Sequence, residues 1–200
     1  KLTAGTLTIN NGATVTFANE AELVVITSAT IGTVTFSAAS GDSATATFPA
    51  GTSLTSATWT NVATTLVVNS TLDDGTGTLR NALTNAVSST TITFDDLLED
   101  SQTGVITIIL SSMLELPNVI LTIDGGEHWE ESGVLKTRVI LSADVGVGNE
   151  FKIIRSNASN ICTLNNLTFQ NGYVTSGTSF GAGLQIRTGG YSITNYINYC

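Results

Sequence analysis

Two hundred residues with 42% hydrophobic side chains and a mean hydropathy of +0.26 can bury a sizeable core, which excludes a disordered chain. Sixteen acidic residues against seven Lys and Arg give a net charge of −9. No basic cluster is present to release counterions, so nucleic acid is excluded as a partner and an anionic membrane surface is disfavoured.

No apolar run approaches the roughly 18 residues of a membrane span, and residues 1–20 lack the basic start and apolar block of a secretory leader. The chain opens on Lys1 rather than Met, the expectation being a processed, trimmed or partial sequence. Before residue 73 the only charged residues are Lys1, Glu20, Glu22 and Asp42, so residues 1–65 form a Thr-, Ser-, Ala- and Gly-rich β segment almost free of charge. Alternation shows in Leu7 and Ile9, Val15 and Phe17, then Leu23 and Val25, with turn residues between them, an eight-residue beat continued at Ile31. That spacing suits solenoid rungs better than hairpins, and the segment also offers donor strands for another chain.

Residues 66–96 predict a strand at Leu66-Val67-Val68, a turn at Asp73-Asp74-Gly75-Thr76-Gly77, a helix from Thr78 to Val87 and a strand at Thr91–Phe94. Leu79, Ala82, Leu83 and Ala86 fall on one helix face, Thr78 is the N-cap, and Gly75 and Gly77 let the chain turn sharply. Ten residues do not hold a helix alone in water, so this one needs a flat apolar support, such as the open end of a stack of strands. Further strands are expected at Val105–Leu110, Val119–Ile123, Val139–Leu141, Phe151–Ile154, Leu164–Phe169, Leu184–Ile186 and Tyr191–Ile197. The scarcity of helical patterns argues against alternating βα units. Leu164–Phe169 lines up with Ile193–Asn198, which places Asn166 over Asn195 as a stacked amide pair at a bend.

The run from Val67 to Leu83, including Asn69-Ser70-Thr71-Leu72-Asp73-Asp74-Gly75-Thr76-Gly77-Thr78-Leu79-Arg80, and the following Thr90–Phe94 resemble the opening segment of bacterial surface β-helix proteins named for the motif CSLREA. Thr122-Ile123-Asp124-Gly125 and Leu167–Gly172 are similar to later repeats of that family. Gly181-Ala182-Gly183-Leu184 is similar to these and to the Gly-Gly-Ala-Ile repeats of polymorphic outer-membrane proteins. The likeness spans residues 66–200 and leaves residues 1–65 uncovered. Gly77-Thr78 stands where the motif has Cys-Ser, and Asn81-Ala82 where it has Glu-Ala, so it rests on Leu79-Arg80 and their context. The resemblance implies an all-β fold, a right-handed parallel β-helix (solenoid) over residues 66–200 with an N-terminal capping α-helix at 78–87. It also implies a secreted or surface-displayed bacterial protein, and it brings no catalytic residue.

Several constellations admit chemistry. Arg80 suits an anionic ligand, or a pair with Asp73 or Asp74 that ties the turn to the helix, and the second reading is preferred. Asp95, Asp96, Glu99 and Asp100 offer oxygens for Ca²⁺ without the ligand spacing of an EF-hand, and also read as a solvated acidic loop. Asp124, Glu127, His128, Trp129, Glu130 and Glu131 could act on a sugar, yet they sit in one loop with nothing to fix two carboxyl groups apart. A polysaccharide lyase would draw its base from Lys136, Arg138, Lys152, Arg155 or Arg187, and so acidic a chain would need Ca²⁺ to hold a uronate. Asn69, Asn157 and Asn166 open glycosylation-type triplets and are taken as turn and ladder residues. Cys162 and Cys200 read as two buried thiols or one bridge.

The expectation is therefore a non-catalytic extracellular structural or adhesive protein of a bacterial cell surface, with no resident cofactor. A carbohydrate-active β-helix enzyme is the competing class. Expected partners are further coils of a longer chain or a second subunit, because Tyr191, Tyr196, Ile197 and Tyr199 near Cys200 lack a closing helix. Surface glycans or cell-surface proteins complete the expected partners.

Overall fold

The computed structural model describes residues 1–131, 134–144, 153–156, 161–172, 184–186 and 196–198. With strands numbered in chain order, β1 (Leu2–Ile9), β3 (Glu22–Ile31), β5 (Ala44–Pro49), β7 (Val62–Val68), β8 (Thr90–Phe94), β11 (Leu121–Asp124), β16 (Cys162–Asn165) and β19 (Tyr196–Asn198) lie side by side in that order. They form one eight-stranded sheet in which every neighbouring pair is parallel. Three smaller parallel sheets accompany it. β2 (Thr14–Phe17), β4 (Thr35–Ala38) and β6 (Thr58–Thr60) form the first. β9 (Ile106–Leu110), β14 (Val139–Ala143) and β17 (Leu167–Gln170) form the second, and β10 (Leu114–Glu115), β15 (Ile154–Ser156) and β18 (Leu184–Ile186) the third. β12 (His128–Glu131) and β13 (Val134–Thr137) make an antiparallel hairpin.

Alternating side chains decide which face is buried. Phe48, Leu66, Ile92, Ile123 and Leu164 stand in register on five successive strands of the large sheet, all pointing inward. Each apolar group thus rests on a like group of the next strand, and a slip of one residue would turn the whole column to water. Facing this column, Phe36 and Trp59 stack with centroids 4.2 Å apart and planes 3° from parallel, while Phe48 meets Trp59 edge-on at 6.0 Å. The Trp59 indole N–H donates to the Leu54 carbonyl at 3.1 Å, so the partly buried ring leaves no stranded donor.

The eight-residue beat of the sequence is resolved differently from a single series of rungs. Leu7 and Ile9 lie on β1 and Val15 and Phe17 on β2 of another sheet, whereas Leu23, Val25 and Ile31 all belong to the long β3. The return to the same sheet spans two strands, with Leu2 opposite Leu23 and Thr14 opposite Thr35. The large sheet also crosses residue 65 inside β7, so residues 1–65 and the chain after them share it.

Helix α1 spans Leu79–Asn85, shorter than the predicted Thr78–Val87, because Ala86 is already extended. Thr78 caps it, its hydroxyl accepting the Asn81 amide at 3.2 Å, and Leu79, Ala82 and Leu83 are buried. Gly77, at φ 83°, has no room for a side chain, since a Cβ would strike Asn69 Oδ1. Contrary to the expectation of a cap, the helix does not cover an end of the large sheet. β1, β3 and β5 continue that sheet on the near side of β7, and β7 pairs directly with β8 across the helical insertion. The helix instead lies between residues 50–54, which it meets through Asn85, and residues 112–113, which it meets through Arg80. A stretch of chain on each side supplies the apolar and polar partners that an open end would have left to the helix alone.

Two further expectations change. The single strand Leu164–Phe169 is broken into β16 and β17 by Asn166, whose φ of 52° turns the chain between two sheets. Asn tolerates this left-handed conformation at small cost, so the apolar alternation runs through a corner. The acidic loop after β11 contains β12, paired with β13 from His128 opposite Thr137 to Glu131 opposite Val134.

Candidate functional site

The densest polar contacts join α1 to the segment that follows β9. Asp73 Oδ1 accepts Arg80 Nη2 at 2.6 Å, and Arg80 Nε donates to the Asp73 carbonyl at 3.3 Å. Arg80 also donates from Nη1 to the Met113 carbonyl at 3.1 Å and from Nη2 to the Ser112 carbonyl at 2.9 Å. Asp73 Oδ2 accepts both the amide of Ser111, at 3.1 Å, and its hydroxyl. Partial burial pushes the Asp73 carboxyl upward, but the hydrogen bonds from Ser111 and Arg80 together outweigh it and hold the group below its ordinary value. Asp73 is thus the partner that Arg80 takes, while Asp74 Oδ1 accepts the Gly75 amide at 2.7 Å within the turn. Ser111 carried no signal in the sequence, because its contact with Asp73 is made only when the chain has returned past the helix.

A groove of about 300 Å³ opens beside this knot, lined by Arg80, Leu83, Met113, Leu114, Glu115 and Pro117. Its charged groups are both engaged, Arg80 with Asp73 and Glu115 with Arg155 Nη2. A guanidinium held by a carboxylate and by three carbonyls ties the turn and the helix to the segment after β9 and offers little to an incoming anion.

The second cluster sits where the large sheet turns toward β9 and β14. Arg138 Nη2 donates to the Phe94 carbonyl at 2.9 Å and lies 2.8 Å from Asp96 Oδ1, and its Nε lies 2.7 Å from Glu99 Oε1. Asp95 Oδ1 accepts the Leu97 amide at 3.0 Å, capping a 3₁₀ turn over Asp96–Leu98. Asp100 Oδ1 accepts the amides of Gln102 and Thr103, each at 3.0 Å, and the Thr103 hydroxyl at 3.1 Å. The Gln102 amide leads these bonds in holding the Asp100 carboxyl below its ordinary value. The four acids proposed for Ca²⁺ are therefore divided between an arginine and two turns. Among the described residues no three His, Cys, Asp or Glu side chains converge on one point.

One strand further on, Asn166 Nδ2 donates to the Gly126 carbonyl at 2.6 Å, and Asp124 Oδ1 accepts the Gly126 amide at 3.0 Å. A Cβ on Gly125 would strike the Asn166 carbonyl, so this corner requires glycine for close backbone approach. Asn195 lies outside the described residues. The register around it pairs Leu164 with Ile197, not with Ile193 as the sequence echo suggests. Parallel pairing follows the stacking of inward side chains and tolerates loops of different length, so similar-looking segments need not be opposite one another.

Of the lysine and arginine residues considered for a lyase, Arg138 immediately precedes β14 and Arg155 lies on β15, a strand of a different sheet, and each is ion-paired. Lys152 and Arg187, like Asn157 and Cys200, lie outside the described residues. Cys162 is buried, and burial pushes its thiol up to about 12. Comparisons with family models, with curated proteins and with solved structures find no match to this chain.

Proposed function

We propose that the chain is a right-handed parallel β-helix serving as a non-catalytic, extracellular structural and adhesive element of a bacterial cell surface. The observation that carries this reading is the row of parallel pairings from β1 to β19, each made after the chain has visited another sheet, except that β7 reaches β8 by way of helix α1. Such crossovers between parallel strands of one sheet are right-handed in about 98% of cases. The charges of the described residues support a mechanical role. Lys1 with Glu22, Arg138 with Asp96 and Glu99, and Arg155 with Glu115 join segments distant in sequence, and Arg80, paired locally with Asp73, reaches the carbonyls of Ser112 and Met113. The likeness of residues 66–200 to CSLREA-type surface proteins points to the same place and role.

β1 borders the large sheet, so further coils of a longer chain or a second copy would extend it by strand addition. Surface glycans or proteins of a neighbouring cell are the binding partners this reading expects. The test is twofold. Antibody labelling and protease shaving of intact source cells should reach the protein, and the purified chain should release no unsaturated products from acidic polysaccharides with or without Ca²⁺. Burial inside the cell, or lyase products, would reverse the assignment.

A further inference from the structure

We infer that the outer face of the β2–β4–β6 sheet binds ice. On these strands Thr14 stands opposite Thr35 and Thr35 opposite Thr58, while Thr16 stands opposite Ser37 and Ser37 opposite Thr60. The residues between them, Val15, Phe36 and Trp59, point inward, and the stacked Phe36 and Trp59 rings back the array. The five threonines are exposed and Ser37 is half-buried. Two files of hydroxyls, five of the six positions also bearing a methyl, are therefore held by paired backbones. The repeats are about 4.8 Å between strands and about 6.7 Å along them.

The chemistry of this face narrows its partner. β2, β4 and β6 carry no charged residue, so polyions gain nothing from it. It exposes no aromatic or Arg anchor of the kind that dominates protein interfaces, and Trp59 faces the core, so it gives a sugar ring no platform. A neutral surface that is itself periodic, and that both donates and accepts hydrogen bonds, matches the array. The prism faces of hexagonal ice present water oxygens at closely similar spacings. Each Thr hydroxyl can donate and accept, its methyl fills the gap between water rows, and the fixed backbone leaves little ordering to be done on binding. This inference is independent of the surface role above, since it rests on one face of residues 14–60.

Purified full-length chain should inhibit ice recrystallisation and shape crystals in a nanolitre osmometer. Thr35→Lys at the centre of the array should abolish both effects, with Thr16→Lys as a second variant should the first not fold. Ser37→Thr, which completes the lattice of six threonines, should lower the protein concentration needed. Thr107→Lys, an exposed position on β9, should leave activity unchanged. Circular dichroism and melting of each variant separate loss of binding from loss of fold. Ice growth indifferent to the wild-type chain would overturn the inference and leave the threonines as strand formers only. Equal loss in Thr107→Lys and Thr35→Lys would also overturn it.

Discussion

Thr64 and Thr90 face each other inside the core on the neighbouring strands β7 and β8, their hydroxyls 2.8 Å apart. Their relative exposures are 2% and 1%, and Thr90 Oγ1 also accepts the Val87 amide at 3.1 Å. They interrupt a column whose other members include Ala46, Leu121 and Cys162, so two hydroxyls are buried where apolar groups would pack. The pair satisfies itself and secures the chain as it leaves the helical insertion. Thr64→Val should cost about 1–2 kcal/mol by removing the buried partner of the Thr90 hydroxyl. Thr90→Val should cost more, because it also strips the acceptor from Val87. Urea denaturation of both variants checks the order, and equal costs would show that the Val87 bond contributes nothing.

The bonds that hold Asp73 below its ordinary value make stability depend on acid. A carboxyl depressed by folding contributes above its unfolded value, near 3.9, and its contribution is lost as pH falls through the lower folded value. Asp100 adds the same sign. Denaturation midpoints measured between about pH 2 and 6 should therefore fall on the acid side, and Asp73→Asn should flatten part of that limb while lowering stability at neutral pH. An unchanged acid limb in the variant would show that Asp73 is not the group responsible.

Leu83 is 3% exposed on the buried side of α1. Leu83→Asp removes that burial and places a carboxylate beside the apolar groove wall, an expected cost of about 2–5 kcal/mol. Chemical denaturation that moves by less than about 0.5 kcal/mol, the size of a typical surface substitution, would mean that the helix is not docked.

Cys162, raised to about 12 by burial, should not react with thiol reagents at pH 8 in the native protein and should react at once in denaturant. Labelling of the folded chain at Cys162, read by peptide mass, would contradict its burial. Intact mass with and without reductant reports whether Cys162 and Cys200 are joined.

Local chemistry in the sequence determined most of the strands, the helix and its start. Leu66-Val67-Val68 is a short, β-branched apolar run, Thr91–Phe94 alternates as a half-buried strand must, and Thr78 before an apolar stripe at Leu79, Ala82 and Leu83 marks a helix N-terminus. These signals work over one or two turns of chain, and they survive because side-chain entropy and capping bonds are local. The tertiary structure alone decided which strands are neighbours. Any two β-branched strands can pair in parallel, and the connections run from the short passage between β5 and β7 to the long one between β11 and β16. Only the fit of Phe48 on Leu66 on Ile92 selects the register. That selection put β7 directly against β8, so the helix became an insertion between packed segments and not a lid. It also brought Ser111 to Asp73 and Arg138 to Asp96 and Glu99, contacts whose geometry exists only once the distant strands have paired.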